Sequence, residues 1–179
     1  MNEAPTNDVA PRDVATYDVA IVGYGPVGAT AANLLGQMGL NVVVVERDPD
    51  IYFRARAIST DEEVMRIWQQ VGLADRLNAD MQPGAGANFV DADGETFVKL
   101  LPTDRGNGHP PQQFIYQPAV DKVLREGVER FPNVTILLEH ECLRLHQHPD
   151  GVELMLADLT TDQFKRIRAS YPLHPELLD

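Results

Sequence analysis

Three glycines and one carboxylate carry the clearest chemistry in this chain. Gly23, Gly25 and Gly28 stand in the spacing G-x-G-x-x-G, and Glu46 follows 18 residues after the last of them. In such a turn the first glycine allows a tight exit from a strand. The second removes a side chain where a pyrophosphate must approach the backbone, and the third lets a helix pack closely on the strand. The free N–H groups at the helix start, around Val27 and Gly28, then face the phosphates at the positive end of the helix dipole. Pro26 lacks an N–H, but it sits in the first helical turn, where that donor has no intrahelical partner. A carboxylate at position 46 can accept hydrogen bonds from both ribose hydroxyls and opposes a 2′-phosphate, an exclusion that neighbouring Arg47 weakens. The motif alone leaves NAD and FAD both open.

A turn of this kind works only between a strand and a helix. Asp18–Val22 is a short apolar run of the kind buried on both faces of a parallel sheet. Val27 to about Met38 reads as a helix stopped by Gly39, and Asn41–Glu46 as the second strand. After Asp48-Pro49-Asp50 the stretch IYFRARAIST is irregular. Ser59 or Thr60 can cap a helix whose apolar face is Val64, Ile67, Trp68 and Val71, with Asp61, Glu62 and Glu63 matching its dipole. Gly72 ends it, and a short helical turn follows.

Residues 83–112 change character, with a hairpin about Ala92-Asp93-Gly94 and then a loop. Gln117–Arg130 reads as an amphipathic helix with Val120, Val123, Leu124 and Val128 inward, and Asn133–Leu138 as a buried strand. CLRLHQH and GVELMLAD flank Pro149-Asp150-Gly151 as a hairpin, to which QFKRIRAS adds a third antiparallel strand. Residues 1–15 read as a mobile tail and YPLHPELLD as a stretch without pattern.

Composition bounds the rest. A 179-residue chain with 44% hydrophobic and 23% charged residues is that of an ordinary globular domain. A net charge of −12 argues against a nucleic-acid surface, which needs clustered Lys and Arg. Cys142 is the only cysteine, so no intrachain disulfide forms, and it reads as a packed strand residue. No apolar run is long enough to span a bilayer and no secretory h-region is visible, so a soluble, cytoplasmic protein is expected. His146 and His148 share one strand face, but with no third ligand fixed near them or His140, no metal site is expected. His109 and His174 have no visible catalytic partner, and Tyr116 reads as a core aromatic.

From Tyr17 to about Ser170 the chain resembles the FAD-dependent aromatic hydroxylases, single-component flavoprotein monooxygenases related to p-hydroxybenzoate hydroxylase. The residues that carry the likeness are VAIVGYGPVGATAANLLGQMGLNVVVVERD, RARAISTDEEVMRIWQQVGL and QPAVDKVLREGVERFPNV, most similar to the 3-(3-hydroxyphenyl)propionate hydroxylases. The resemblance implies an α/β fold: a Rossmann-like FAD-binding parallel sheet with an antiparallel β-meander, incomplete at its C-terminal end. It implies that Gly23, Gly25, Pro26, Val27 and Gly28 cradle the FAD pyrophosphate and Glu46 holds the adenosine ribose. Arg47 would lie near the adenosine half, Arg56 would reach the cofactor, and Gln117 would touch its ribityl or phosphate region; Arg54 reads as an exposed cation.

In such enzymes NADH or NADPH reduces the flavin, which then uses oxygen to hydroxylate a phenolic substrate, so no side-chain nucleophile is required. Two later family signatures, an Asp-Gly and a Gly-Asp motif, have no counterpart here. Asp93-Gly94 and Asp150-Gly151 read as hairpin turns instead. The expected organisation is therefore the N-terminal part of an FAD-binding domain over residues 16–170, with 83–112 opening the substrate-domain portion and 171–179 divergent. Such a chain would be inactive alone and able to self-associate through exposed surface. A nicotinamide-dependent dehydrogenase domain and a non-catalytic nucleotide-binding fragment are the alternatives.

Overall fold

The computed structural model describes residues 14–173, apart from 85, 104 and 162. The valine run and the glycine punctuation act locally. β1 (Ala15–Val22) leads through the turn into α1 (Pro26–Gln37), and the chain returns along β2 (Val42–Val45). Gly39 takes φ +80°, the left-handed conformation that ends a helix. β1 begins three residues before the expected strand, so Ala15 belongs to the sheet and not to the tail.

The return from β2 is long. It passes through β3 (Ser59–Asp61), α2 (Glu62–Gln70), α3 (Ala74–Asn78), β4 (Gln82–Pro83) and the hairpin of β5 (Ala87–Val90) and β6 (Thr96–Leu100). β7 (Gln112–Phe114) then pairs antiparallel with both β3 and β4. α4 (Gln117–Val128) follows, and β8 (Val134–Leu137) joins β2 in parallel. β9 (His140–His148), β10 (Gly151–Asp158) and β11 (Gln163–Leu173) form the meander.

These strands make one six-stranded sheet in the order β8-β2-β1-β11-β10-β9. β11 pairs antiparallel with β10 and parallel with β1, so it stitches the meander onto the nucleotide-binding unit. The stretch read as patternless extends this seam, with Tyr171, Pro172 and Leu173 opposite Val19, Ala20 and Ile21. The pairing with β10 ends at Val152 opposite Ala169, and an open flank is where a proline is tolerated in a strand. Residues 1–13 and 174–179, His174 included, lie outside the described residues.

Alternate side chains of the central strands feed two cores, as expected for strands buried on both faces. Val19, Ile21, Val42 and Val44 meet Met65, Trp68, Leu77, Val120, Leu124 and Val128 from the helices. Ala20, Val43 and Val45 share the other cluster with Val152, Leu154, Leu156, Ile167 and Ala169.

α2 corrects two sequence expectations. Its cap is Asp61, whose carboxylate accepts from the N–H groups of Glu63 and Val64, and neither Ser59 nor Thr60 serves. Its inward face holds Val64, Trp68 and Val71 as expected, but Met65 joins them in place of Ile67, which stays 41% exposed. On this inward face Trp68 Nε1 donates to Thr30 Oγ1 on α1 at 3.0 Å. The side chains of β5 and β6 are exposed throughout, and Tyr116, expected in the core, is exposed as well.

Candidate functional site: the glycine turn and the loops around it

Gly23 leaves β1 at φ +102° and donates its N–H to Val45 O at 2.7 Å, which ties the turn to β2. Gly25 is the N-cap of α1 and brings no capping side chain, Pro26 follows it, and no acidic residue lies in the first turn. The N–H groups of Val27 and Gly28 therefore stand at a helix start with no intrahelical partner, a geometry that suits an anion. A Cβ at Gly25 would meet nothing within 4 Å, so the backbone borders open space there. At Gly28 it would lie 2.0 Å from Gly23 O, so this glycine serves the contact between turn and helix. Val27 is largely exposed.

Glu46 sits where β2 ends and brings the second strand back to the turn. Its Oε2 accepts the Tyr24 N–H at 2.7 Å and its Oε1 accepts the Asp48 N–H at 2.9 Å. A carboxylate has about four acceptor positions, so both oxygens keep capacity for ligand hydroxyls. Arg47 turns to Asp48 at 3.5 Å and is mostly solvated.

The loop after β2 carries a row of aromatic and cationic contacts. Arg56 places its guanidinium 5.2 Å from the Tyr52 ring centroid, and Arg54 lies 5.2 Å from that of Phe53; both arginines are exposed. Gln117, the first residue of α4, is buried, and its Oε1 accepts the backbone N–H groups of Arg56 and Ala57 at 2.8 and 2.9 Å. The glutamine oxygen is thus committed to the loop backbone. The structure brings Gly23–Gly28 together with Glu46 directly, and Gln117 together with the Arg56 loop.

Sequence reasoning missed the residues that lock these pieces. Tyr24 is buried, and its hydroxyl donates to Arg125 O at 3.3 Å. Arg125 answers from α4, with Nε donating to Tyr24 O at 2.9 Å and its guanidinium 4.6 Å from the Tyr24 ring. Burial pushes the Tyr24 phenol up to about 12, and the Arg125 charge only partly opposes this. Asn33 is fully buried; its amide donates to Ala29 O and Leu124 O and accepts from Arg130, joining α1 to α4. The four-residue spacing of Gln117, Asp121 and Arg125 was the available signal for a polar stripe on α4.

The remaining candidates lie elsewhere. His146 and His148 touch edge to face at 4.4 Å on exposed β9, and no group of three or more His, Cys, Asp or Glu among the described residues is arranged to hold a metal. His140 donates from Nδ1 to Leu138 O at 2.6 Å and receives Lys165 Nζ at Nε2, 2.8 Å away. His109 contacts Gln69 on α2 at 2.9 Å. Cys142 is half-buried, which raises its thiol pKa. No helix among the described residues is long and apolar enough to cross a membrane.

Comparison with known proteins finds relatives over most of the chain. The 3-(3-hydroxy-phenyl)propionate/3-hydroxycinnamic acid hydroxylase of Comamonas testosteroni is 38% identical over 169 residues, 94% of this chain and 28% of that protein. Its counterpart in Escherichia coli (strain K12) is 40% identical over 149 residues, 83% of this chain and 27% of that protein. The chain thus spans little more than a quarter of the length of these curated relatives. Among solved structures, p-nitrophenol 4-monooxygenase PnpA from Pseudomonas putida DLL-E4 shares the fold at 24% identity, with a TM-score of 0.79 over 90% of this chain and 41% of that one. The flavin-dependent monooxygenase PieE, solved in complex with FAD and substrate, has a TM-score of 0.76 at 25% identity, over 90% of this chain and 30% of that one. A turn that presents uncapped amides beside open space, closed by a carboxylate on the next strand, is what a dinucleotide needs, and the description "FAD binding domain" matches residues 16–173: the chain belongs to that family.

Proposed function

We propose that this chain binds FAD through its ADP half and forms the cofactor-binding part of a nicotinamide-dependent aromatic hydroxylase. The observation that carries the reading is the pairing of open space at Gly25 with the Glu46 carboxylate bound to the Tyr24 N–H. In this reading Gly23, Gly25, Pro26, Val27 and Gly28 form the pyrophosphate cradle. Glu46 takes the ribose hydroxyls, and Arg47 and Arg56 supply positive charge along the adenosine and phosphate side. Gln117 acts by holding the Arg56 loop. FAD supplies the redox chemistry when bound, while the protein binds and orients it.

The finer reading follows the relatives. The substrate would be a phenolic acid such as 3-(3-hydroxyphenyl)propionate, the reductant NADH or NADPH, and the co-substrate oxygen. This activity is proposed for a protein of the relatives' length, since the chain spans 28% of the Comamonas hydroxylase. The 179 residues alone would bind cofactor without turnover, in a soluble, cytoplasmic setting.

Two measurements on the purified chain test this. Titration with FAD, NAD and AMP should show FAD binding tightest. Flavin-dependent, phenol-stimulated NADH or NADPH oxidation should be absent; clear turnover would contradict the division of labour, and tighter binding of NAD than FAD would favour a dehydrogenase.

A further inference from the structure

Gln117, Asp121 and Arg125 follow one another at four-residue spacing along α4, which stacks their side chains on one face. The two ends of this stripe grip different segments. Gln117 Oε1 holds the backbone of Arg56 and Ala57, and Arg125 Nε holds the carbonyl of Tyr24 in the glycine turn. Between them Asp121 is 5% exposed, and its Oδ1 has no hydrogen-bond partner.

A buried carboxylate is costly unless its surroundings compensate it. Burial raises the Asp121 pKa, while the Arg125 charge, the Gln117 side chain and the Arg56 charge oppose that rise. A primary amide has one accepting end and one donating end. With the accepting end of Gln117 committed to the loop, only its NH2 remains to serve the carboxylate one helical turn on. A carboxylate at 121 thus decides which way round the amide sits, because it attracts only the NH2.

We propose that Asp121 is a positioning residue of the cofactor site: it accepts from the Gln117 amide and faces Arg125, so the Arg56 loop and the glycine turn are tied to one shared carboxylate. The coupling fixes the spacing between Tyr24 and Arg56, which lie 32 residues apart in sequence. Its importance for a cofactor rests on the FAD reading above. The coupling itself does not, and it can be read in the ligand-free protein.

The test is amide hydrogen exchange at Arg56 and Ala57, followed by NMR in the 179-residue chain, with Val43 and Val44 as core controls and FAD titration alongside. Gln117→Glu keeps an acceptor for the loop but sets a carboxylate against a carboxylate, and should speed exchange at 56 and 57 about tenfold. Adding Asp121→Asn in that background restores a donor–acceptor pair and should bring exchange back to within about threefold of wild type. Asp121→Ala should speed exchange at 56 and 57 while Val43 and Val44 keep their protection.

Failure of the double variant to recover, or equal acceleration at Val43 and Val44, overturns the proposal. FAD separates the two claims. A wild-type chain that takes up no FAD but shows the recovery refutes the cofactor reading and retains the coupling. A chain that binds FAD without recovery retains the cofactor reading and refutes the coupling.

Discussion

Gly25 and Gly28 lie three residues apart in one turn, yet a methyl group at each should do opposite things. At Gly28 the new Cβ would sit 2.0 Å from Gly23 O and 3.3 Å from Ile21 Cγ2. The obstacle is backbone, so no rotamer change relieves it, and α1 must move away from β1 by more than about 1 Å. That motion would open the contacts of Ala29 and Ala32, both fully buried. The cost should reach about 3 kcal/mol, or roughly 6–12 °C in Tm for a domain of this size.

At Gly25 the backbone has φ −78° and ψ −167°, which alanine adopts freely, and nothing lies within 4 Å of its Cβ. Gly25→Ala should therefore cost less than about 1 kcal/mol, mostly as a poorer N-cap. Its effect should fall on the ligand, where a methyl intruding on the pyrophosphate costs about 1–3 kcal/mol, or roughly 5- to 150-fold in Kd. Thermal melts and FAD titrations of both variants decide the matter. Gly28→Ala melting with wild type, or Gly25→Ala binding FAD with undiminished affinity, would refute the assignment of these two roles.

Other outcomes follow from the same structure. Asn33→Leu removes two donated hydrogen bonds and leaves the Leu124 carbonyl and an Arg130 N–H short of a partner, so urea denaturation should show a loss of about 2–3 kcal/mol. Asp158 is held down to about 2 first by the Thr160 hydroxyl, at 2.6 Å; burial, the next largest effect, pushes the other way, and the Thr160 N–H, His140 and Lys165 then lower it further. A carboxylate whose pKa is depressed in the folded state stabilises the fold above its unfolded pKa and loses that contribution as pH falls toward 2. Melts recorded from pH 5 to pH 2 should fall less steeply for Asp158→Asn than for wild type; parallel curves would exclude this carboxylate.

The parts legible in the sequence were those fixed by local rules. Glycine spacing and the valine run placed the strand–turn–helix–strand unit, and the Pro149-Asp150-Gly151 hairpin followed from turn chemistry. What escaped depends on partners distant in the chain. Tyr171–Leu173 look patternless until β1, some 150 residues earlier, is set beside them. The α2 face was legible except at one position: Val64, Trp68 and Val71 pack inward as their spacing implies, but Ile67 does not. The position that differs, Met65 in place of Ile67, is settled by packing against the sheet and the other helices. Within the site, the glycines and Glu46 were readable because their chemistry is local. Gln117 was readable as a special helix start, but its hold on Arg56 and Ala57 spans 60 residues.

The most direct test of the account is calorimetric titration of FAD into the wild-type chain and into Glu46→Gln, with circular dichroism to establish that both are folded. Wild type should bind FAD, ADP should compete for the same site, and Glu46→Gln should weaken both by about tenfold through loss of a charged acceptor. A folded wild-type chain that binds no FAD, or FAD binding that neither ADP nor Glu46→Gln disturbs, would contradict it.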